Sequence, residues 1–256
     1  MENVYLIFFF LLGLAMGSFL CVVGLRLGKE EDFIKGRSYC DNCHHALKVL
    51  DLIPIFSYLF LRGRCRYCQK KISPLSFFLE LFTGLLFMIA FYSFGFSLKF
   101  IIALLAISLT MIIFASDLTY LIIPDEVLIF FGISFLIVEV LSKGIMGGVY
   151  CLGSGLALFL IMYTIMLAGN LIFKKESLGG GDVKLLFVIG LVLEPLLGVI
   201  NIFLASVIAL PISLLLYRKN KEHVIPFGPF ILIAFLIILF SKVTTTDVLN
   251  FFYTLA

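Results

Sequence analysis

Apolar residues run along this chain in long blocks separated by short polar breaks, and the blocks predict eight helices at roughly 4–26, 75–96, 98–116, 126–142, 146–173, 183–198, 200–217 and 226–242. Several are close to the ~20 residues that a helix needs to cross a hydrocarbon core of roughly 30 Å. The break at 194–200 is the least marked. The only polar interruption long enough to fold by itself is 28–74; the other loops are short, and no internal repeat or low-complexity tract is evident. The predicted architecture is therefore an all-α integral membrane protein of about eight transmembrane helices, with a first helix at 1–27, a polar insertion at 28–74 and a polytopic core at 75–256.

Composition removes the soluble alternative. Of 256 residues, 62% are hydrophobic and 14% charged, and the mean hydropathy is +1.17, well above the apolar share of a soluble domain. The first block, Val4 to Leu25, reads as a retained helix rather than a cleaved signal, because Met1-Glu2-Asn3 carries no positive charge and Arg26 follows the run instead.

The net charge of +3 matters through its distribution. With the amino terminus outside, Arg26, Lys29 to Lys71, Lys174, Lys175, Lys184, Arg218, Lys219 and Lys221 fall inside, and Lys99, Lys143 and Lys242 outside. That is sixteen cations against three, the bias expected of cytoplasmic loops, and dropping one helix would move a later basic cluster to the wrong side. Both chain ends are then extracytoplasmic and 28–74 is cytoplasmic. The chain has no Trp, so Tyr and Phe are left as anchors at the bilayer interfaces.

The insertion holds Cys40-Asp41-Asn42-Cys43 and Cys65-Arg66-Tyr67-Cys68, two C-x-x-C pairs 21 residues apart. That is close to the spacing of a four-thiolate zinc knuckle, in which each pair chelates one edge of a tetrahedron. A cytosolic location argues against disulfides, and four protein ligands make the metal structural rather than catalytic. Four unligated thiols or a regulatory disulfide is the competing reading. His44 and His45 lie beside the first pair and are left outside the ligand set. Cys21 and Cys151 lie in apolar blocks and read as packing residues.

Two carboxylates stand at the cytoplasmic ends of apolar blocks. Asp117 closes the third, in the segment Asp117 to Asp125 that contains Ile123-Pro124, and Asp182 opens the sixth after Gly179-Gly180-Gly181. An ionisable group at membrane depth is costly and calls for a functional partner. A water-splitting aspartic site needs two carboxyls that share a proton, one ionised to take a proton from water and one protonated to polarise a carbonyl. The glycines before Asp182 let an extended substrate strand approach closely. Asp182 serves equally as a helix N-cap, Asp117, Asp125 and Glu126 serve equally as interfacial charge, and spacing does not choose Asp117 over Asp125.

These residues together resemble the type IV prepilin peptidase family. The resemblance runs from Gly17-Ser18-Phe19-Leu20 to Pro226-Phe227-Gly228-Pro229. It is carried by the paired C-x-x-C motifs around Leu61-Arg62-Gly63-Arg64-Cys65-Arg66, by Asp117 with Ile123-Pro124-Asp125, and by the G-x-G-D match Gly179-Gly180-Gly181-Asp182-Val183-Lys184. It implies a membrane aspartic endopeptidase in which Asp117 and Asp182 are the catalytic pair and Asp125, Gly179, Gly181 and Lys184 support them. The implied substrates are prepilin or pseudopilin precursors, cut after a leader glycine at the cytoplasmic face of a bacterial inner membrane. It also implies methylation of the new amino-terminal residue with S-adenosylmethionine, for which the residues themselves show no nucleotide fingerprint and no binding site. Cys21 stands where the family usually has Asn, and Ser73-Pro74-Leu75-Ser76-Phe77-Phe78-Leu79-Glu80 lacks the common Arg-Tyr-Pro while keeping Glu80.

Three other classes compete: a transporter with paired intramembrane charges, a presenilin-like or preflagellin-like protease, and an anchoring protein whose zinc knuckle binds a partner. Both acids map to one membrane face, which disfavours a transport path, and the two C-x-x-C pairs favour the prepilin branch. Glu30, Glu31, Asp32, Asp41 and Asp51 offer acidic ground for a basic leader. The partners expected are precursor proteins and the bilayer, with no nucleic acid; the pattern does not set an oligomeric state.

Overall fold

The computed structural model describes residues 2–29, 31, 38–40, 42–174, 178–219 and 226–255. The described residues form helices α1 (Glu2–Gly28), α2 (Phe56–Phe60), α3 (Leu75–Phe94), α4 (Leu98–Tyr120), α5 (Asp125–Phe173), α6 (Gly180–Gly190), α7 (Pro195–Lys219), α8 (Gly228–Ser241) and α9 (Thr245–Leu255), with no named strand among them. Five of these, α1, α3, α4, α5 and α7, are long and apolar enough to cross a membrane, and the α8–α9 pair, bent by 84°, makes a sixth. The chain is a multi-pass membrane protein. Its exposed apolar side chains, among them Phe8, Ile129, Met146 and Phe203, are of the kind that lipid covers.

The 49 residues of α5 are two helical arms joined at Gly144, whose φ of 74° and ψ of −179° are non-helical. Only glycine takes that conformation without strain, which explains why the predicted blocks 126–142 and 146–173 stop and restart around it. The block 183–198 is realised differently. The helix α6 has 11 residues, about 16 Å of rise, and the turn after it gives way to α7 at Pro195, where a proline opens a helix with no loss of an internal bond. The predicted start of that helix at 200 is therefore five residues late.

The chain divides into two compact units, Met1–Phe100 with Ile107–Tyr120, and Ile101–Ala106 with Leu121–Ala256. In the first, α1 packs along α3. Small residues allow the approach: a Cβ on Gly13 would lie 2.8 Å from the Cα of Gly84, and one on Gly17 would lie 2.8 Å from Oγ1 of Thr83. With lipid on the outside no hydrophobic gain separates helix from lipid contacts, so close backbone packing of this kind carries the association. At the end of the unit remote from the insertion, Phe9 stacks on Phe91 at 4.7 Å and meets Phe100 edge-on at 4.9 Å, with Tyr5 against Phe96 at 5.3 Å.

In the second unit the core is built from Phe135, Leu158, Leu185, Leu186, Ile189, Ile231 and Phe235, all fully buried. The second arm of α5 meets α6 through Gly155 and Gly190, where a Cβ on Gly190 would lie 2.7 Å from the Cα of Gly155. Ser154 donates to the carbonyl of Leu193 at 2.7 Å and so fixes the turn that follows α6.

Candidate active site and metal centre

The insertion is organised by two matching turns. In the first, the Cys40 N–H donates to the His45 carbonyl at 3.1 Å, and the His44 N–H donates to the Cys40 carbonyl at 2.8 Å. In the second, the Cys65 N–H donates to the Lys70 carbonyl at 2.9 Å, and the Gln69 N–H donates to the Cys65 carbonyl at 3.0 Å. Antiparallel bridges close both, Tyr39 with Ala46 and Arg64 with Lys71. The residue after the second cysteine of each pair, His44 or Gln69, is left-handed, with φ of 53° and 58°. This turn points both thiols of a pair to one side.

The four Sγ atoms of Cys40, Cys43, Cys65 and Cys68 lie within 4.8 Å of one another, with Cys40 and Cys68 3.9 Å apart. A tetrahedron of Zn–S bonds of about 2.3 Å has sulfur edges of about 3.8 Å, so the donor set suits a tetrahedral thiophilic ion. None of the four is in a disulfide. The thiols share their protons unevenly. Cys68 is lowered to about 6, chiefly by the Lys70 N–H and then by the Asn42 amide. For Cys43 the His45 N–H pulls down, but desolvation and the sulfurs of Cys40, Cys68 and Cys65 outweigh it and push the thiol up to about 11. A bound cation replaces those shared protons.

Side chains around the cysteines lock the turns together. Lys70 Nζ donates to Oδ1 of Asn42 at 2.6 Å, across the two turns. His45 lies on Tyr67 with centroids 3.7 Å apart and His44 lies 5.8 Å from Tyr39, so both histidines pack against aromatic rings. Asp51 forms an ion pair with Nε of Arg66 at 2.9 Å and accepts from the Tyr67 hydroxyl at 3.2 Å. These bonds commit Asp51 to the insertion rather than to a basic leader. Glu31 accepts from the Tyr39 hydroxyl at 3.3 Å, whereas Glu30, Asp32 and Asp41 lie outside the described residues.

Glu80, buried in α3 at 8% exposure, ties the insertion to the helices. It accepts from the backbone N–H of Ile55 at 2.8 Å and interacts with the Ser18 side chain. Ile55 is left-handed, with φ of 63°. In the sequence Glu80 stands only as a match to the family pattern, and its role as an anchor appears in the fold.

Asp117 lies in α4 and is 5% exposed, beside the fully buried Ser116. The helix does not close at Asp117, because Leu118-Thr119-Tyr120 continue it by a turn before Leu121 turns left-handed at φ 58°. Asp182 lies in the first turn of α6 and is 7% exposed. Gly179 occupies the N-cap position of α6, so Asp182 is a buried carboxylate inside the helix and not its cap. A Cβ on Gly179 would lie 3.3 Å from Oδ2 of Asp182, and any larger side chain there would crowd that oxygen.

The segment Ile123-Pro124-Asp125 and the G-x-G-D segment meet within the second unit. Asp125 is the first residue of α5 after Pro124. Lys184 Nζ reaches both of its carboxylate oxygens, at 2.8 and 2.7 Å. A Cβ on Gly181 would lie 3.0 Å from Cβ of Ile123. The four supporting residues expected from sequence thus include two, Asp125 and Lys184, in direct contact. Glu139, not among the expected site residues, is 3% exposed and paired with Lys143 at 2.7 Å one helical turn on; the i,i+4 spacing of opposite charges is its signal in the sequence.

Comparison with known proteins places family models on both parts of the chain. The bacterial peptidase A24 N-terminal domain matches residues 11–94, and the type IV leader peptidase family matches residues 102–214. A prepilin leader peptidase/N-methyltransferase of Bacillus subtilis (strain 168) is 34% identical over 223 residues, covering 86% of this chain and 88% of the relative. One of Vibrio cholerae is 31% identical over 260 residues, covering 94% and 98%. One of Myxococcus xanthus is 34% identical over 204 residues, covering 77% and 59%. No solved structure matches.

Proposed function

Because the chain belongs to the type IV leader peptidase family, we propose that it cuts the leader from type IV prepilin or pseudopilin precursors with Asp117 and Asp182 as its catalytic carboxyls. The cut is made at the cytoplasmic face of the bacterial inner membrane. The observation that carries this reading is the burial of both aspartates, at 5% and 7% exposure, in helices inside the segment that matches the peptidase family.

Two carboxyls that share one site cannot both ionise cheaply, so in this reading the pair works with one proton at neutral pH. The ionised member takes a proton from water as the water attacks the scissile carbonyl. The protonated member donates to the carbonyl oxygen. The gem-diol then collapses: the first carboxyl passes its proton to the leaving amine as the C–N bond breaks, and a gem-diol hydroxyl returns a proton to the second carboxylate, which completes hydrolysis without a covalent intermediate and restores the shared proton. Gly179 keeps the space beside Oδ2 of Asp182 free of a side chain, Gly181 lets α6 pack closely on Ile123, and the Asp125–Lys184 pair holds the start of α5 beside α6.

The rest of the chain has separable tasks. Residues 1–27 form the first membrane helix, 28–74 the insertion and 75–256 the peptidase core. Cys40, Cys43, Cys65 and Cys68 would hold zinc, which supplies cross-linking of an insertion too small to build a core of its own. The methyl donor, when bound, supplies the methyl group for the new amino terminus, a second activity drawn from the names of the relatives.

The test is cleavage of a prepilin-type precursor by purified wild type, Asp117→Ala and Asp182→Ala in detergent, with mass spectrometry of the product after addition of S-adenosylmethionine. Each single variant should lose cleavage by at least about a thousandfold, as removal of one member of an acid–base pair does. Cleavage by both variants at the wild-type rate would sink the assignment. A gain of one methyl mass on the wild-type product would establish the second activity.

A further inference from the structure

We infer that residues 49–60 of the insertion form a membrane anchor, seated in the headgroup region of the bilayer beside the start of α3. The insertion is polar as a whole, yet this stretch turns its large apolar side chains outward. Val49 and Phe60 are 81% and 84% exposed, and Leu50, Phe56 and Leu59 are exposed between them. The one charged residue of the stretch, Asp51, is turned inward, its side chain 2% exposed against Arg66. In the short helix α2, Phe56, Leu59 and Phe60 share a face by their i, i+3, i+4 spacing, and that face is the exposed one. Tyr58, on the other side, stacks on Phe77 of α3 at 5.1 Å. A helix facing water shows the reverse polarity.

The position of the stretch names what covers its apolar face. The spanning helix α3 has 20 residues, about the number that one crossing needs, so its start at Leu75 marks the edge of the hydrocarbon core. The Ile55 N–H donates to Glu80, which lies about 7.5 Å along the helix from that start. Segments lying in a bilayer surface bury their apolar faces to about 5–10 Å, the depth at which this bond holds the stretch. Aromatic contacts continue from Tyr58 through Phe77 and Phe78 to Phe82, and Phe78 and Phe82 are exposed on the spanning helix. The apolar face of the stretch is thereby continuous with the lipid-covered surface of α3. Irregular backbone tolerates this setting only where its polar groups are paired. The N–H groups of Asp51, Leu52, Phe56, Ser57 and Leu59 donate to nearby carbonyls, and Pro54 has no N–H to satisfy.

The chain has no Trp, so Phe60→Trp makes a single fluorescent reporter. The full-length variant is placed in phosphatidylcholine vesicles whose chains carry bromine near the headgroup or near the methyl end. Phe82→Trp in the same vesicles calibrates contact with lipid. The expected result is loss of about half or more of the Phe60→Trp emission to the shallow bromines, a smaller loss to the deep ones, and acrylamide quenching at least about threefold below that of free N-acetyltryptophanamide. Zinc content and melting temperature report the fold, and Leu59→Trp carries the test if Phe60→Trp does not fold. Strong acrylamide quenching without loss to bromine would overturn the inference and place the stretch in water. Protection from both quenchers would overturn it too and give the face to protein, either a second copy of this chain or a partner. A greater loss to the deep bromines would overturn the headgroup placement.

Discussion

The backbone N–H of Ile55 donates to the buried carboxylate of Glu80 at 2.8 Å, joining the cysteine-rich insertion to the third helix. Ile55 is an awkward partner, since a β-branched residue at φ 63° is strained. The bond to Glu80 and the fold of the insertion hold that conformation in place. Glu80→Ala would leave the Ile55 N–H and the Ser18 side chain short of an acceptor, at a cost of about 1–3 kcal/mol. Glu80→Gln keeps an acceptor oxygen and should cost less. Hydrogen exchange over residues 52–60 checks this: faster exchange in Glu80→Ala with near-normal protection in Glu80→Gln supports the anchor, and unchanged exchange in both removes it.

The contact between α1 and α3 depends on glycines. A Cβ at Gly13 would meet the Cα of Gly84 at 2.8 Å, and neither backbone can move without parting the two helices. Gly13→Val should destabilise the protein by about 1–3 kcal/mol, the usual cost of forcing extra atoms into a packed contact. Gly153→Ala, where an added Cβ meets nothing within 4 Å, should be nearly neutral. Thermal unfolding in detergent, compared between the two variants, measures the difference.

Much of this architecture was legible in the chain because burial in lipid leaves a simple mark. Apolar blocks gave the helices, including the start of α5 to within one residue of Asp125, and the gap between 142 and 146 gave the break inside α5 at Gly144. The paired C-x-x-C spacing gave a cysteine cluster whose sulfurs do converge. Other features left weaker marks. The apolar run through Leu191-Val192-Leu193 hides the end of α6, since hydropathy does not distinguish a buried turn from a helix. The last helix, α9, was missed although Thr244-Thr245-Thr246-Asp247 spells a capping box. In the structure the Thr244 N–H donates to Asp247 at 2.9 Å and the Asp247 N–H donates to Oγ1 of Thr244 at 3.3 Å. The Glu80–Ile55 bond was not legible at all, because a contact 25 residues apart through a backbone N–H has no side-chain signature.

The Asp125–Lys184 pair should matter for activity far more than for stability. Both side chains are more than half exposed, at 57% and 53%, and an exposed pair contributes about 0–1 kcal/mol. Lys184→Met should therefore leave the melting temperature close to wild type. Its effect on cleavage should be larger, because the pair aligns the start of α5 with the first turn of α6, where Asp182 sits. The charge swap Asp125→Lys with Lys184→Asp separates the roles. Partial recovery of cleavage in the swap, relative to either single change, supports alignment by the ion pair; recovery in neither cleavage nor melting temperature argues that each residue acts alone.

Removing the metal should loosen the insertion while sparing the helices. Four thiolates must be free of protons to hold zinc, so retention depends on pH in a definite direction. The Cys68 thiolate, favoured by the Lys70 N–H and the Asn42 amide, persists down to about pH 6, whereas Cys43 in the metal-free cluster keeps its proton up to about 11. A group with a lowered value contributes above that value and loses its contribution as pH falls through it; a raised thiol behaves in the opposite sense. Zinc binding must therefore displace the Cys43 proton at neutral pH, and competition from protons grows as the solution is acidified. Challenge with a chelator should strip zinc faster at pH 5.5 than at pH 8, and Cys43→Ser should lose it at both. Proteolysis would then cut between residues 38 and 74 while the membrane helices stay intact. Equal retention at both pH values, or a metal-free insertion as resistant as the loaded one, would show that the cysteine cluster does not depend on a metal for its fold.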